Sequence, residues 1–396
     1  MTNPFINKRA LLLSYDDTSI YHAKIIEKQF AILGIECDHA LVTKRNEVHV
    51  NQRQINLHQI EHKYEIPRHQ LAEPKVYNHY DIYFSAVPIV PLRGFERLCN
   101  RSKQKRPIVI YSFRGIEEPV HTGFMNRLGA DLIILNNQAH FNALSHFEPL
   151  QKIIDNQAIS IGNPIFWAQS AIGDINNPPQ NIYFYTQSII PKTKEERLRV
   201  AQNLLLYAQK YTDRNMWIKL RHLPDENQNH SHIEEFDFPL LFKELCPNGL
   251  PNNLKYTAED MGRSMENADF CLTVRSTAIF ETLFHHIPSA LLPESFDFLP
   301  KTFENSGLIL SYADFLDGEI PAPDIEWMAN NIPRSNKAIN SFISQLAVLL
   351  EKRAKSRAFP LTNKRLIRRG LPYEKIHYKQ FKKTVNNFIK QQDKRK

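Results

Sequence analysis

The sequence is poor in cysteine and has no apolar run long enough to cross a bilayer, which takes about 18 residues. It also shows no internal repeat, so solenoid and propeller architectures are excluded. Cys37, Cys99, Cys246 and Cys271 stand singly, with no CxxC spacing. That pattern favours buried or idle thiols in a reducing compartment over a disulfide framework or a cysteine-based metal site. The N-terminal stretch MTNPFINKRALLLSYDD offers only a short apolar run before Asp16 and Asp17, too short for a secretory signal. A protein made and kept in the cytoplasm is the expectation.

What is present suits an ordinary folded protein. Hydrophobic residues make up 42% of 396, enough for cores, and the length exceeds one core, so two domains are expected. The net charge of +8 is unevenly placed. From Glu351 to Lys396 there are 16 Lys/Arg against 3 Asp/Glu, or +13, which leaves −5 on the first 350 residues. A basic tail interleaved with Phe359, Tyr373, Tyr378, Phe381 and Phe388 suits an anionic membrane surface or nucleic acid. A solvated helix with one apolar face is the plainer alternative. The mildly acidic body and the lack of a nucleic-acid motif argue against nucleic acid.

Along the chain, short buried-strand runs alternate with amphipathic helices. RALLLSY reads as a strand, DDTSIYHAKIIEKQFAILG as a capped helix closed by Gly34, and IECDHALV as the next strand. Residues 45–75 are polar and read as a long loop or weak helix. DIYFSAVPIV, RPIVIYSF, DLIIL and ISIGNP supply further strands, with a basic helix near 93–104. IGDINNPPQ reads as a linker, after which NIYFYTQ, MWIKL, FCLTV and SALLP alternate with the helices PKTKEERLRVAQNLLLYAQKY, FPLLFKEL, DMGRSMENA and STAIFETLFHH. Such alternation predicts parallel sheets in both halves. The expected divisions are 1–175, 176–335, and a basic helical tail at 336–396 that packs back on the first domain or lies on a membrane.

Two strand ends are chemically pointed. WIKL breaks into Lys219, Arg221 and His222, and FCLTV breaks into Arg275, Ser276 and Thr277 just before a helix. Open α/β sheets take their ligands at carboxyl edges, and backbone N–H groups at a helix start favour anions. Together these ends predict a pocket for a phosphate-bearing ligand. Gln187 and Ser188, after NIYFYT, are placed to touch the same ligand. The plainer alternatives are solvated strand ends and helix capping.

KLRHLP and VRSTAIFE resemble the His-Pro and Ser-Ser or Ser-Thr motifs of bacterial sialyltransferases, polysialyltransferases and Kdo transferases, in the same order. Here Leu223 separates His222 from Pro224, and Arg275 stands where the family often has a first serine. The stretch from TQSIIPKTKEER through TVRSTAIFETLF to SGLI also resembles a bacterial group of glycosyltransferase-like proteins, over roughly residues 180–315. The resemblance implies a GT-B fold, two Rossmann-like doubly wound parallel-sheet domains facing a central cleft, with the nucleotide on the second. It implies transfer of a sugar, foremost sialic acid or Kdo from a CMP-linked donor, onto a surface glycan or glycolipid of capsule or lipopolysaccharide. UDP- or GDP-sugars and CDP-polyols remain alternatives, as does a non-enzymatic nucleic-acid-binding protein acting through its tail.

The implied roles are specific. Lys219, Arg221, His222, Arg275, Ser276 and Thr277 would hold the phosphate, His222 could protonate it as it departs, and Glu281 would accept the ribose hydroxyls. The family's acidic base motif is echoed by Tyr15, Asp16 and Asp17, with Thr18 in place of glycine. Asp17 is favoured as base slightly over Glu117, in RGIEEPVH; the alternative for Asp16 and Asp17 is helix capping. Inversion by direct displacement fits such a base. No DxD motif is present, so no metal and no cofactor beyond the donor is expected. His58 and His62 would share a helix face if a helix exists there, but no third ligand is evident. The tail would hold the enzyme at the inner membrane face, near lipid-linked acceptors.

Overall fold

The computed structural model describes residues 3–43, 50, 52–90, 106–115, 117, 120–147, 151–155, 157–167, 175–223, 226, 234–293, 299–333 and 335–355. The expected basic helix near 93–104, Cys99, Pro224 and the tail beyond 355 lie outside these residues.

The chain divides into two compact units. One holds the described residues up to 43, those of 60–167 and those of 335–355; the other holds residues between 50 and 59 and the described residues of 175–333. In the first unit the middle stretch runs to Trp167 and the chain returns at residue 335; residues 50 and 52–59 belong to the second unit. Within that unit Arg53 makes long-range hydrogen bonds to Glu226 and Ala258.

The first unit is built on a seven-stranded sheet in the order β3-β2-β1-β4-β5-β6-β7. The strands are β1 (Arg9–Ser14), β2 (Glu36–Thr43), β3 (His62–Pro67), β4 (Ile82–Ser85), β5 (Ile108–Ser112), β6 (Leu132–Leu135) and β7 (Ile159–Ile161). All pairings are parallel. The central strands are apolar throughout because helices cover both faces, so neither face needs polar residues. Helix α1 (Asp17–Leu33) is nucleated by a capping box: Asp16 accepts the Ser19 N–H at 2.9 Å, and Ser19 Oγ accepts the Asp16 N–H at 2.8 Å. It ends at Gly34, whose φ of 78° is a left-handed conformation that glycine adopts without steric cost. Strand β3 arises from the polar segment read as a loop. In HKYEIP, Tyr64 and Ile66 alternate with Lys63 and Glu65, a pattern too short to stand out from the polar residues around it, on an edge strand paired only with β2.

Two further helices of this unit matter below, α2 (Gln52–Leu57) being assigned to the second unit. Helix α3 (Val120–Arg127) follows β5. The last helix of the described chain (Ser335–Lys355) returns to this unit, where Phe342 packs on Phe30 at 6.2 Å and on Trp167 at 4.8 Å.

The second unit has a five-stranded parallel sheet in the order β10-β9-β8-β11-β12. Its strands are β8 (Asn181–Tyr185), β9 (Asn215–Lys219), β10 (Leu254–Thr257), β11 (Phe270–Thr273) and β12 (Ser289–Leu291). Its helices are α4 (Lys194–Lys210), α5 (Phe238–Leu245), α6 (Met261–Asn267) and α7 (Ala278–Phe284). Asp269, buried just before β11, accepts four hydrogen bonds, from the N–H groups of Asn176, Gln180 and Asn181 and from Asn176 Nδ2. That carboxylate pins the segment entering β8. Chain order reverses on either side of β8: β9 and β10 lie on one flank, β11 and β12 on the other. The two doubly wound sheets match the expected fold class. No helix among the described residues is long and apolar enough to cross a membrane.

Candidate functional site

The strand register of the second unit sets the site. Lys219 of β9 pairs with Tyr185 of β8, and Tyr185 pairs with Thr273 of β11, so these three form one row at the carboxyl edge. Residues 186–188, 220–223 and 274–277 follow directly from that row. The strand ends expected to be neighbours are separated by β8, and at about 4.8 Å per strand their backbones stand about 10 Å apart. The edge lies at the reversal of strand order, where α/β sheets bind ligands.

Side-chain and backbone bonds hold the three loops in register. The Thr186 N–H and Oγ1 both donate to the Lys219 carbonyl at 3.1 Å. Thr273 Oγ1 donates to the Tyr185 carbonyl at 3.0 Å and accepts the Ser276 N–H at 3.3 Å. Gln187 Oε1 accepts the Arg275 N–H at 3.2 Å, tying the loop after β8 to the loop after β11. Arg275, Ser276 and Thr277 are half-buried. Ser276 Oγ accepts the Ala278 N–H at 3.2 Å, so it caps locally as the plainer alternative held, whereas Thr277 makes no side-chain cap bond. Helix α7 has only seven residues, which limits its dipole and leaves the strand-tip cations as the main source of positive potential.

Those cations take different postures. Lys219 Nζ lies 6.0 Å from the Tyr185 ring centroid, Arg221 is half-buried, and His222 is buried. His222 Nε2 lies 3.6 Å from Glu234 Oε2. Glu234 is in turn ion-paired with Arg197 of α4. Burial lifts the Glu234 carboxyl to about 7, against the pull of the Arg197 charge. Arg197 is 1% exposed and also donates to the carbonyls of Pro191, Phe236, Gln187 and Ser188, at 2.8, 2.9, 3.0 and 2.6 Å. One guanidinium thus shapes the loop after β8 and the carboxylate beside His222. The buried Ser188 Oγ has no hydrogen-bond partner among the described residues. Glu281 of α7 is buried at the same end of the sheet, close enough to Tyr185 for its charge to help raise that hydroxyl's pKa.

Arg197 and Glu234 were not singled out in the sequence. A signal for Arg197 existed: it stands on the stripe of Val200, Ala201, Leu204 and Ala208, where α4 is buried. A charge at such a position needs a buried partner. Glu234, 37 residues away, carried no comparable mark.

The proposed bases lie at the carboxyl edge of the first unit's sheet and differ in availability. Asp16 is fully buried, caps α1 and is paired with Arg114, as its structural alternative held. Glu117 is held by Arg127, with oxygen–nitrogen distances of 2.5 and 2.9 Å. Asp17, in the first turn of α1, is half-exposed. Behind them His22 is buried with Nδ1 3.5 Å from Ser112 Oγ, and burial lowers it to about 4. His58 and His62 share no helix face, since α2 stops at Leu57 and His62 begins β3. Among the described residues, no group of three or more His, Cys, Asp or Glu is arranged to hold a metal ion.

No curated protein matches the sequence. Solved structures with this fold include the S. aureus MnaA-UDP co-structure, at 13% identity and a TM-score of 0.53 over 89% of this chain and 98% of that one. The UDP-GlcNAc 2-epimerase from Methanocaldococcus jannaschii gives 10% identity and a TM-score of 0.54 over 86% and 99%. The UDP-GlcNAc 2-epimerase from Neisseria meningitidis bound to UDP-GlcNAc gives 12% and 0.51 over 88% and 99%. At these identities the likeness is one of fold. The family model described as "Putative glycosyltransferase (DUF6716)" matches residues 32–346, which takes in every strand from β2 to β12 and the three strand-tip loops, and the chain belongs to that family.

Proposed function

We propose that this chain transfers a sugar from a nucleotide-activated donor to a hydroxyl acceptor, and that the donor is a UDP-sugar. The observation that carries the reading is the row Lys219–Tyr185–Thr273, from which the loops bearing Ser188, Arg221, His222, Arg275, Ser276 and Thr277 all emerge. In the transfer, the bond from the anomeric carbon to the phosphate oxygen breaks as the acceptor oxygen bonds to that carbon. The leaving nucleotide gains negative charge, which Arg221, Arg275 and Lys219 would neutralise, the half-buried arginines acting in a dielectric below that of water. The acceptor proton passes to a carboxylate. We assign this step to Asp17, half-exposed in the first turn of α1; Asp16 and Glu117 are ion-paired with Arg114 and Arg127. Displacement in one step inverts the anomeric configuration, and the basic side chains supply the charge that a divalent cation supplies in other transferases.

The uridine preference is supported by the UDP and UDP-GlcNAc in the S. aureus and N. meningitidis structures of similar fold. CMP-linked sialic acid or Kdo, favoured by the KLRHLP and VRSTAIFE resemblance, is the second reading. The basic tail, outside the described residues, supports a glycolipid acceptor at an anionic bilayer, at about 1 kcal/mol per basic residue near the surface.

Calorimetry with UDP, GDP, CDP and CMP tests the donor, followed by product analysis with the matching sugar nucleotides. Tightest binding of UDP is expected. Selective binding of CMP would move the donor to the second reading, and binding of none would sink the transferase site. Conversion of UDP-GlcNAc to its C2 epimer without an acceptor would replace transfer by epimerisation.

A further inference from the structure

Helix α2 (Gln52–Leu57) comes from the stretch between β2 and β3 of the first unit's sheet, yet it belongs to the second unit. Its Arg53 is bonded within that unit. Nε and Nη2 form a two-pronged ion pair with Glu226, with Nη2 2.7 Å from Oε2, and Nη1 donates to the Ala258 carbonyl at 3.1 Å. Glu226 Oε2 also accepts the Leu223 N–H at 2.8 Å, and the Glu226 N–H donates to the Leu223 carbonyl at 3.0 Å. A single side chain therefore joins the loop after β9, which carries Arg221 and His222, to the loop after β10.

We infer that Arg53 is a positioning residue for the nucleotide site: its fork on Glu226 holds Leu223, and through it His222 and Arg221, in the geometry that receives the donor. The inference rests on the reading of the strand tips as a nucleotide site. The arrangement favours this role over one in global stability. The pair is partly buried, at 30% and 11% side-chain exposure, and it joins two surface loops and no core element. Its effect is concentrated on a short loop, where a misplacement of about 1 Å can cost up to a hundredfold in function. A planar two-pronged contact also sets orientation in a way that a lysine at the same place cannot.

The test uses the full chain as wild type, Arg53→Ala, Arg53→Lys and Glu226→Gln. Calorimetry with UDP and CMP reads affinity, and amide hydrogen exchange reads Leu223. Arg53→Ala and Glu226→Gln are expected to weaken nucleotide binding about tenfold and to speed exchange at Leu223, with melting temperature nearly unchanged. Arg53→Lys should recover little, because a single ammonium cannot make the two-pronged contact on Glu226. Wild-type affinity in Arg53→Ala overturns the inference while leaving the nucleotide site standing. Failure of the wild type to bind any nucleotide removes the site itself, and the positioning role with it. A melting temperature that falls in step with affinity, with exchange at Leu223 unchanged, assigns Arg53 to folding and overturns the inference as well.

Discussion

Replacing Arg197 with methionine should strike the candidate site from behind. The guanidinium is buried, pairs with Glu234 and donates to four carbonyls, two of them on Gln187 and Ser188. Methionine fills much of the volume and supplies no donor. Breaking a buried pair by removing one partner costs about 3–5 kcal/mol, because the other charge is left uncompensated. Glu234 can relieve part of this by taking up a proton, since its carboxyl already titrates near 7. The orphaned carbonyls add about 1 kcal/mol each unless water reaches them. With proton uptake by Glu234 and water at the carbonyls offsetting about half of this sum, a net loss of about 3–4 kcal/mol follows, equivalent to about 6–16 °C in the melting temperature of a unit this size. Arg197→Lys should recover less than half, because three donors on one nitrogen cannot span five acceptors. Thermal unfolding followed by tryptophan fluorescence, which includes Trp217 of β9, reads the effect. A loss of under about 1 kcal/mol would refute the view that one buried arginine organises this loop.

Other outcomes follow from the same geometry. Glu234 is raised by burial from the ordinary glutamate range to about 7, so folding favours its protonated form; the stability it contributes is fully present below about 4.5 and is lost as pH rises to about 7. Glu234→Gln should flatten the pH dependence of second-unit stability across that window, and an unchanged slope would count against the assignment. His22 is lowered by burial to about 4, so the first unit should lose about 3 kcal/mol as pH falls from 6.5 to 4, and His22→Asn should remove most of that slope in an acid titration followed by circular dichroism. Asp269→Asn keeps one acceptor oxygen and turns an NH2 either towards the two donors of Asn176 or towards the N–H groups of Gln180 and Asn181. It should cost about 2–3 kcal/mol in a urea melt, and a cost under about 0.5 would show that the segment entering β8 is held by other contacts.

Local chemistry was legible without coordinates wherever a few consecutive residues decide the outcome. The Asp16 cap and the Gly34 stop of α1, the apolar runs of β1, β8, β9 and β11, and the basic strand ends at 219–222 and 275–277 all depend on near neighbours or on a burial pattern repeated along the chain. Edge strands β3 and β10 carry no such run: their apolar residues alternate with polar ones over a stretch too short to stand out. Only the tertiary structure decided that β8 stands between the two motif-bearing strands, that Asp16 is committed to Arg114 while Asp17 stays accessible, and that Glu234 and Arg53 serve the loop holding His222. The reason is physical. A charged side chain's role is set by what reaches it once the chain is folded, and Arg53 and Glu226, 173 residues apart, have no shared periodicity that could announce their meeting.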